Sequence, residues 1–555
     1  MKKIISILLA SLMLFAVMAP AVSAVEERTP IINIRGNGFS IYYPDGTPVA
    51  ARIEDLSLGG EGEEDGIDKD VIVETAVNIL KPFVLEGMLF DKWDNYGQAL
   101  YDEISPLFKD AGLDGNGNPT NETGMLKSEY DRLWNISKSS YFYSINEPYM
   151  YPYDWRLSPY DHIEKLDEFV NNVLGATGKS QVSIYARCIG GGALMAYLDW
   201  LEEKGQLGKI KNVMFSEVLS NEATVISKSF SGQIEFDAKM VERYTGQLDF
   251  CGEIGEGIGF AFTDVLYEIV FKTMDFFNQI NVTDTALDGV EDLYKKLYKA
   301  LIPAALHATG LGTQLSYWCC VAEEDMDAAL DLVFGKEGTE TRTEYAGFIE
   351  KVQEYRSKVS SNLDGFYKML DDKGIHYGFF AKYGLLNAPL TVDADIPSDA
   401  LVSFEHAAYG ATAAKIGQTL SDSYIASLGE KAKYVSPDKQ VDVSTCIHPD
   451  RVWVVKNIHH SRFDKCWNIV RDFLNGTNET VDTLGYPQYQ VYDYETDSFS
   501  PMTAENSADF EFITKPVEKP TTETRVISFV RFFTMIINFF TKLFKGELDL
   551  GNLFG

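Results

Sequence analysis

The chain has 555 residues, with 49 Lys and Arg against 82 Asp and Glu, so its formal net charge is −33. Hydrophobic residues make up 45% of the sequence and aromatic residues 13%. This is enough apolar material for a large packed core, which excludes global disorder. A surface this acidic repels phosphate backbones, so nucleic-acid binding is not expected.

The first 24 residues have the three parts of a secretory signal peptide. Lys2 and Lys3 form the charged start, residues 4–18 form the apolar stretch, and Val22-Ser23-Ala24 supplies the small residues of a cleavage site. The residue after the cleavage site is not a cysteine, so a lipid anchor there is not indicated. We therefore expect an exported protein, either secreted or held at the cell surface.

Short apolar runs alternate with helical periodicity along most of the chain. The predicted strands are residues 30–35, 181–185, 212–215, 374–382 and 451–455, and the predicted helices are residues 161–174, 193–201, 367–372 and 467–474. Short buried strands separated by helices are typical of a mostly parallel sheet. The sequence therefore predicts an α/β fold with helices flanking a central sheet.

Residues from about 220 to 370 interrupt this alternation, because helical periodicity dominates there. An insertion between two strands of a parallel sheet is placed to cover the strand ends, so we expect a helical cap. The predicted organisation is a signal peptide (1–24), an α/β core in two parts (25–219 and 371–513), the cap (220–370), a linker (514–525) and a C-terminal helix with its tail (526–555).

The segment 526–545 is strongly apolar, and its polar residues recur every three or four positions, so they form one stripe along a helix. Arg531 and Lys542 lie in this stripe, which is typical of a helix lying flat in a membrane interface and not of a spanning helix. Docking onto the protein's own core is the alternative. The extended linker before the helix favours a membrane or partner surface.

The most specific motif, residues 185–191, lies between a predicted strand and a predicted helix. A nucleophile elbow has the form G-x-S-x-G, because its turn is so tight that only small residues fit two places on either side of the nucleophile. Here Ala186 and Gly190 occupy those places and Cys188 stands at the nucleophile position. A buried structural cysteine is the alternative, and the motif alone favours neither.

Residues 151–159, with the sequence YPYDWRLSP, precede this elbow. Together the two segments resemble the lecithin:cholesterol acyltransferase-like family of α/β-hydrolases, whose members carry a YDWR stretch before the elbow. The resemblance is strongest over residues 145–205, weaker over 28–45 and 435–475, and absent from the predicted cap. It implies an α/β-hydrolase fold and an acyl-ester hydrolase or acyltransferase, whose catalytic triad follows the chain order nucleophile, acid, histidine.

The resemblance also assigns roles to the residues after the elbow. Asp438 begins an Asp-x-x-Val stretch that leads into the predicted strand 451–455, and His460 follows that strand. We therefore expect a triad of Cys188, His460 and Asp438. His459 is the alternative histidine. Asp399 is the rival acid and lies nearer the predicted strand 374–382.

The resemblance likewise places the oxyanion hole, the pair of backbone amides that bind the developing negative charge. Gly38, with Asn37 as its neighbour, would supply one amide from the loop after residues 30–35. Ile189, directly after the nucleophile, would supply the second. No cluster of metal ligands stands out, and neither a metal nor another cofactor is expected.

Cysteine in place of serine is the departure from the family pattern. A thiol is more acidic than a hydroxyl, so a neighbouring histidine can hold it as a thiolate, and Arg187 either lowers the thiol pKa further or points into the sheet. The first hypothesis is thus an exported enzyme that acts on acyl esters, lipid-like ones in particular. The second is an inactive surface-binding protein in which Cys188 is structural. A papain-like peptidase is disfavoured by the order of strand, elbow and helix.

Overall fold

The structure is a computed structural model that describes residues 28–36, 39–49, 91–108, 110–218, 222–233, 302–388, 395–462 and 464–510, with a few single positions outside these ranges. The predicted signal peptide, linker and C-terminal helix lie outside the described residues, as do Asn37 and Gly38. Among the helices that are described, none combines the length and the apolar character that crossing a bilayer requires.

The described strands are numbered in chain order. They are β1 (Ile31–Ile34), β2 (Ile41–Tyr42), β3 (Gly124–Met125), β4 (Tyr149–Met150), β5 (Val182–Arg187), β6 (Ile210–Ser216), β7 (His376–Tyr383), β8 (Leu385–Leu386), β9 (Pro397–Ser398), β10 (Thr412–Ala413), β11 (Val441–Asp442), β12 (Val452–Lys456), β13 (Tyr489–Asp493) and β14 (Ser498–Pro501).

Eight of these strands form the central sheet, in the order β14-β13-β12-β7-β6-β5-β1-β4. Every neighbouring pair is parallel except β13 with β14, which is antiparallel. The other strands form three small antiparallel pairs: β2 with β3, β8 with β9, and β10 with β11. The predicted α/β class with a mostly parallel sheet is confirmed.

The described helices are also numbered in chain order. They are α1 (Trp93–Ile104), α2 (Lys127–Ser137), α3 (Tyr141–Ile145), α4 (Ile163–Thr177), α5 (Gly190–Glu203), α6 (Thr224–Phe230), α7 (Leu315–Trp318), α8 (Met326–Phe334), α9 (Glu340–Glu344), α10 (Ala346–Lys358), α11 (Leu363–Asp372), α12 (Phe404–Ala407), α13 (Asp422–Ser427) and α14 (Trp467–Asn475).

Helices cover both faces of the sheet, so its central strands are buried along their whole length. Successive side chains of a strand point to opposite faces. Accordingly Ile184 of β5 packs in the core that contains α4 and α5. Its neighbour Tyr185 packs in the second core, with Ile469 and Phe473 of α14. This double coverage explains why the strands appear in the sequence as short, almost uninterrupted apolar runs.

The five predicted strands correspond to β1, β5, β6, β7 and β12, with ends that differ by one or two residues. Strands β4, β13 and β14 were not predicted. β4 has only two residues, and β14 is an edge strand with mostly exposed side chains, so neither carries an apolar run. Between β6 and β7 the described residues form helices α6 to α11 and no strand. The insertion is therefore helical in its described part, and its role as a cap stays a prediction.

Candidate active site

Cys188 lies on a sharp turn between β5 and α5. Its φ is 51°, a left-handed conformation that is uncommon for a residue with a side chain. The Cys188 N–H donates a hydrogen bond to the carbonyl of Ser216 at the end of β6, at 3.2 Å, which ties the turn to the neighbouring strand. The local geometry is that of a nucleophile elbow, with α5 beginning two residues after the cysteine.

Two glycines let backbone approach this turn closely. A Cβ atom on Gly190 would lie 2.4 Å from the carbonyl oxygen of Arg35, which is backbone and has no freedom to move aside. A Cβ atom on Gly36 would lie 2.9 Å from the Cβ and 3.3 Å from the Sγ of Cys188. The loop after β1 is therefore pressed against the thiol, and Gly36 is the described glycine at this contact.

The YDWR stretch holds this loop in place. The Tyr153 hydroxyl donates hydrogen bonds to the carbonyls of Arg35 and Gly36. The indole N–H of Trp155 donates to the carbonyl of Phe39 at 2.8 Å. Tyr153 and Trp155 therefore fix both ends of the segment that contains Asn37 and Gly38. The amide expected from Gly38 lies outside the described residues, so its predicted role stays a prediction.

The remaining two residues of the motif form a buried ion pair. Arg156 is fully buried, and its Nε and Nη2 atoms donate to the two carboxylate oxygens of Asp154 at 3.0 and 2.7 Å. The same guanidinium donates to the carbonyls of Ala111 and Thr123. A buried cation with this many acceptors binds separate segments together. Tyr153 and Trp155 thus support the loop beside the elbow, whereas Asp154 and Arg156 bind the motif to the segments that contain Ala111 and Thr123.

His460 forms a buried pair with Asp399. The two side chains are 1% and 0% exposed, and His460 Nδ1 lies 2.5 Å from Asp399 Oδ2. The backbone repeats the contact, because the His460 N–H donates to the Asp399 carbonyl at 2.8 Å. The other carboxylate oxygen of Asp399 accepts the N–H groups of Leu401 and Val402. Asp399 is therefore anchored on one side and faces the imidazole on the other.

Asp438 does not contact His460, so the expectation that it is the acid beside the histidine is wrong. Its carboxylate accepts from Lys456 Nζ at 2.8 Å and from the Tyr383 hydroxyl at 2.9 Å. Lys456 is fully buried and also pairs with Asp509 at 2.7 Å. Asp438 thus balances the charge of a lysine at the end of β12. Asp399, the rival acid, is the carboxylate beside His460, because it follows β7, the strand next to β12 in the sheet.

The two candidate histidines have different surroundings. His459 Nδ1 bonds with the hydroxyl of Ser461 at 2.9 Å, and its backbone N–H donates to the Tyr494 hydroxyl. Burial lowers the pKa of His459 to about 3, so its ring is neutral at physiological pH. The His460 ring bonds to the Asp399 carboxylate, whereas Nδ1 of His459 bonds to the Ser461 hydroxyl. The choice of His460 is consistent with this geometry.

Burial raises the pKa of the Cys188 thiol to about 12, and the neighbouring Ile189 N–H and Arg187 guanidinium offset this only in part. The resting side chain is therefore a thiol. This differs from the thiolate that the substitution of cysteine for serine suggested. Arg187 is buried, with its guanidinium over the Tyr185 ring, and its charge affects both Cys188 and His460. The Ile189 N–H donates toward the Cys188 sulfur, and its role in an oxyanion hole stays a prediction.

Two charged residues at this sheet edge were not singled out from the sequence. Glu217, directly after β6, is fully buried, and its carboxyl, that of Asp399 and the His460 ring have polar atoms within 4.8 Å of one another. Lys382 of β7 is fully buried and donates to the carbonyl of His460 at 3.1 Å. Glu217, Asp399 and His460 are close enough together to hold a metal ion. The positive charge of Lys382 beside them disfavours a second cation, and His460 Nδ1 is already bonded to Asp399.

All six cysteines are described and buried, and the structure contains no disulfide between them. Cys319 and Cys320 pack in the same apolar cluster as Cys188 and Ile189. Next to the elbow, Val218 faces Gly191 and the Cys319 sulfur faces Gly192, so the first turn of α5 packs against apolar side chains.

Comparison of the chain with models of known families, with curated proteins and with solved structures finds no match. The geometry of the site and the sequence resemblance therefore carry the functional argument.

Replacing Asp438 by Asn should destabilise the protein, because it removes a negative charge from the buried Lys456. Removing one partner of a buried ion pair costs about 3 kcal/mol, which urea unfolding would measure. Asp422→Asn is the matched control, because Asp422 pairs with Lys439 while 91% exposed. A surface pair of this kind contributes at most about 1 kcal/mol. Equal stability of the two variants would contradict the structural role of Asp438.

Stability should fall as the pH drops below 6.5. Burial lowers the pKa of His162 and His376 to about 4 and that of His459 to about 3. An unfolded histidine binds its proton near pH 6.5. Between pH 6.5 and about pH 4 the unfolded chain binds more protons than the folded chain. The free energy of unfolding therefore decreases as the pH falls through this range. Urea midpoints measured from pH 7 to pH 4 would report this decrease.

His376→Asn is the informative variant for this titration. The His376 ring contacts the Glu479 carbonyl at 2.9 Å, far along the chain from the elbow, and an asparagine amide can donate to the same carbonyl. The variant should show a shallower dependence of stability on pH across the same window, because one titrating group is gone. An unchanged dependence would contradict the assignment.

Proposed function

We propose that this chain is an exported α/β-hydrolase, similar to the lecithin:cholesterol acyltransferase-like family, that cleaves or transfers acyl groups through an acyl-cysteine intermediate. Cys188 is the nucleophile, His460 the general base and Asp399 the acid that orients it. The observation that carries the proposal is the buried pair of His460 with Asp399 at the sheet edge where Cys188 occupies an elbow.

The order of the sheet supports this assignment. Strands β5, β6, β7 and β12 lie side by side and parallel, so their carboxyl ends meet at one edge. Cys188 follows β5, Asp399 follows β7 and the β8–β9 pair, and His460 follows β12. The chain order nucleophile, acid, histidine is that of α/β-hydrolases. Asp399 bonds to His460, and its charge also raises the pKa of Cys188, so it acts on both partners.

The pair determines where protons move. Burial opposes the ionisation of Asp399, but the facing His460 and Lys382 outweigh it and hold the pKa of Asp399 below its usual range. A carboxylate that accepts from Nδ1 leaves Nε2 of His460 as the basic nitrogen. Nε2 takes the proton of the Cys188 thiol as the sulfur forms a bond to the acyl carbonyl carbon. The imidazolium then gives this proton to the leaving alcohol oxygen as the carbon–oxygen bond breaks.

The second half of the reaction reverses these roles. Water or another hydroxyl gives a proton to His460 and attacks the thioester, and the sulfur leaves and takes the proton back. We assign the binding of the tetrahedral oxyanion to the Ile189 N–H, which donates toward the Cys188 sulfur, and to the N-terminus of α5. Because the resting thiol is protonated, its ionisation accompanies the attack and does not precede it. This makes base catalysis by His460 essential.

The apolar surroundings of the elbow favour an acyl group as the substrate. Val218 and Cys319 lie against the first turn of α5, since a Cβ atom on Gly191 would meet Val218 and one on Gly192 would lie 3.6 Å from the Cys319 Sγ. These surfaces suit a hydrocarbon chain better than a peptide or sugar. A lipid-like ester also fits the predicted C-terminal helix, whose contact with a membrane surface stays a prediction.

An inactive surface-binding protein is the second candidate, and one observation favours it. Cys188 is 5% exposed and its pKa is raised to about 12, as expected of a structural cysteine. Opposing this is the backbone at Cys188, since a structural cysteine has no need of a left-handed turn.

The nucleophile assignment is tested with p-nitrophenyl esters of short and long acyl chains. Cys188→Ala should lower kcat/KM by about a thousandfold or more, because the covalent route is lost. Cys188→Ser retains a nucleophile at the same place and should retain part of the activity. Intact-mass spectrometry of the wild type should detect one added acyl group, which Cys188→Ala cannot form.

Cys446→Ala is the matched control for this series. Cys446 is also buried, but it lies before β12 in the chain and its thiol donates to the Ala408 carbonyl. It should keep wild-type rates. A wild type no faster than Cys188→Ala with every ester, together with failure of iodoacetamide to label Cys188, would favour the binding protein.

Asp399→Asn should lower kcat by two to four orders of magnitude, on the order of the loss known for this change in a serine triad, because the amide no longer stabilises the imidazolium. Asp438→Asn is the control here and should leave kcat close to that of the wild type at a temperature where both are folded. Equal losses of kcat in the two variants would contradict the assignment of Asp399 as the triad acid.

A further inference from the structure

Glu217 combines two unfavourable features at the edge that carries the candidate triad. Its side chain is fully buried, although glutamate is ordinarily a surface residue. Its φ is 48°, so the backbone is also in the left-handed region, and its N–H donates to the Phe380 carbonyl of β7 at 3.3 Å. Buried carboxyls and unusual backbone conformations both concentrate at functional sites.

The groups that face Glu217 come from four loops or strands. They are Tyr185 and Cys188 from the end of β5, Lys382 from β7, Asp399 after β9, and His460 after β12. Asp399 and His460 have polar atoms within 4.8 Å of a carboxyl oxygen of Glu217.

Two neighbouring buried carboxyls are unfavourable when both are ionised, because two like charges at this distance repel strongly. Asp399 is the better anion of the two, since it accepts from His460 and from two backbone N–H groups. Neither oxygen of Glu217 has a hydrogen bond of normal geometry among the described residues, although the Lys382 backbone N–H faces its carboxyl. Burial raises the pKa of Glu217 well above its usual range, Asp399 raises it further, and Lys382 opposes this in part.

We infer that Glu217 is held as a neutral carboxylic acid that donates a hydrogen bond to Asp399, and so acts as a positioning residue for the triad. This inference rests on the roles proposed for Asp399 and His460. The site would then contain a chain of four groups: the thiol, the imidazole, the carboxylate and the carboxylic acid.

The proton on Glu217 has a definite use in this arrangement. A neutral donor fixes the orientation of the Asp399 carboxylate and leaves its charge available to the imidazolium of His460. A lysine in the same place would cancel that charge. A second carboxylate would disfavour ionisation of the thiol, since the charge of Glu217 raises the pKa of Cys188.

Three measurements test the inference, with Glu217→Gln and Glu217→Leu as the variants. The glutamine amide is a neutral donor of the same shape, whereas leucine fills the space and donates nothing. The infrared difference spectrum of wild type against Glu217→Gln at pH 7 should contain the C=O stretch of a protonated carboxyl. A difference in carboxylate bands alone would overturn the inference.

The second measurement is the pH dependence of Cys188 alkylation by iodoacetamide, which needs no ester substrate. Wild type and Glu217→Gln should react at similar rates near pH 7. At any pH that ionises Glu217 in the wild type, its charge suppresses the thiolate, so Glu217→Gln should react faster there. Coincident rate curves for the wild type and Glu217→Gln over the whole pH range would overturn the inference, because a residue with a purely structural role would leave the two curves the same.

The third measurement is ester turnover at pH 7. Glu217→Gln should retain kcat within about threefold of the wild type, whereas Glu217→Leu should lose tenfold or more in kcat with little change in KM. Equal kcat values for the two variants would overturn the positioning role. A wild type that turns over no ester, but gives the infrared band and the alkylation profile described, would mean that the proposed function fails while the protonation of Glu217 holds.

Discussion

The site depends on one electrostatic constraint: ionisable groups are placed where water is excluded, at the carboxyl edge of a parallel sheet. Asp399, His460, Glu217 and Lys382 are almost completely buried. In such surroundings each charge needs a partner, and each excess charge is removed by gain or loss of a proton. The positions of the neighbouring strands decide which groups meet, because β5, β6, β7 and β12 end at the same edge.

The surrounding segments bring backbone close to this edge of the sheet. The elbow presents the thiol, and glycines at positions 36 and 190 admit the loop after β1. The YDWR stretch has a structural role here, because Tyr153 and Trp155 hold that loop by hydrogen bonds to its carbonyls. Two residues of the motif therefore support the loop after β1, and none of its side chains is assigned to the chemistry.

Much of this could be predicted from the sequence because it depends on local patterns. Apolar runs predict buried strands, and small residues on both sides of Cys188 predict the turn. The partner of His460 could not be predicted in this way. Asp438 stands closer in the chain to the histidine, but Asp399 follows the strand that is adjacent in space. Glu217 was missed for a similar reason. A single glutamate after a strand looks like a surface residue until the strands on both sides of it are known.

The depth at which the sulfur lies has a consequence for the lifetime of the protein. Oxidants and disulfides react with the thiolate far more readily than with the thiol. Cys188 keeps its proton at rest and is pressed against Gly36, so the resting protein offers an oxidant little to attack. For the exported enzyme proposed above, this means a nucleophile that reacts slowly until an acyl group occupies the site. A cysteine in the place of a serine can then persist in an oxidising medium.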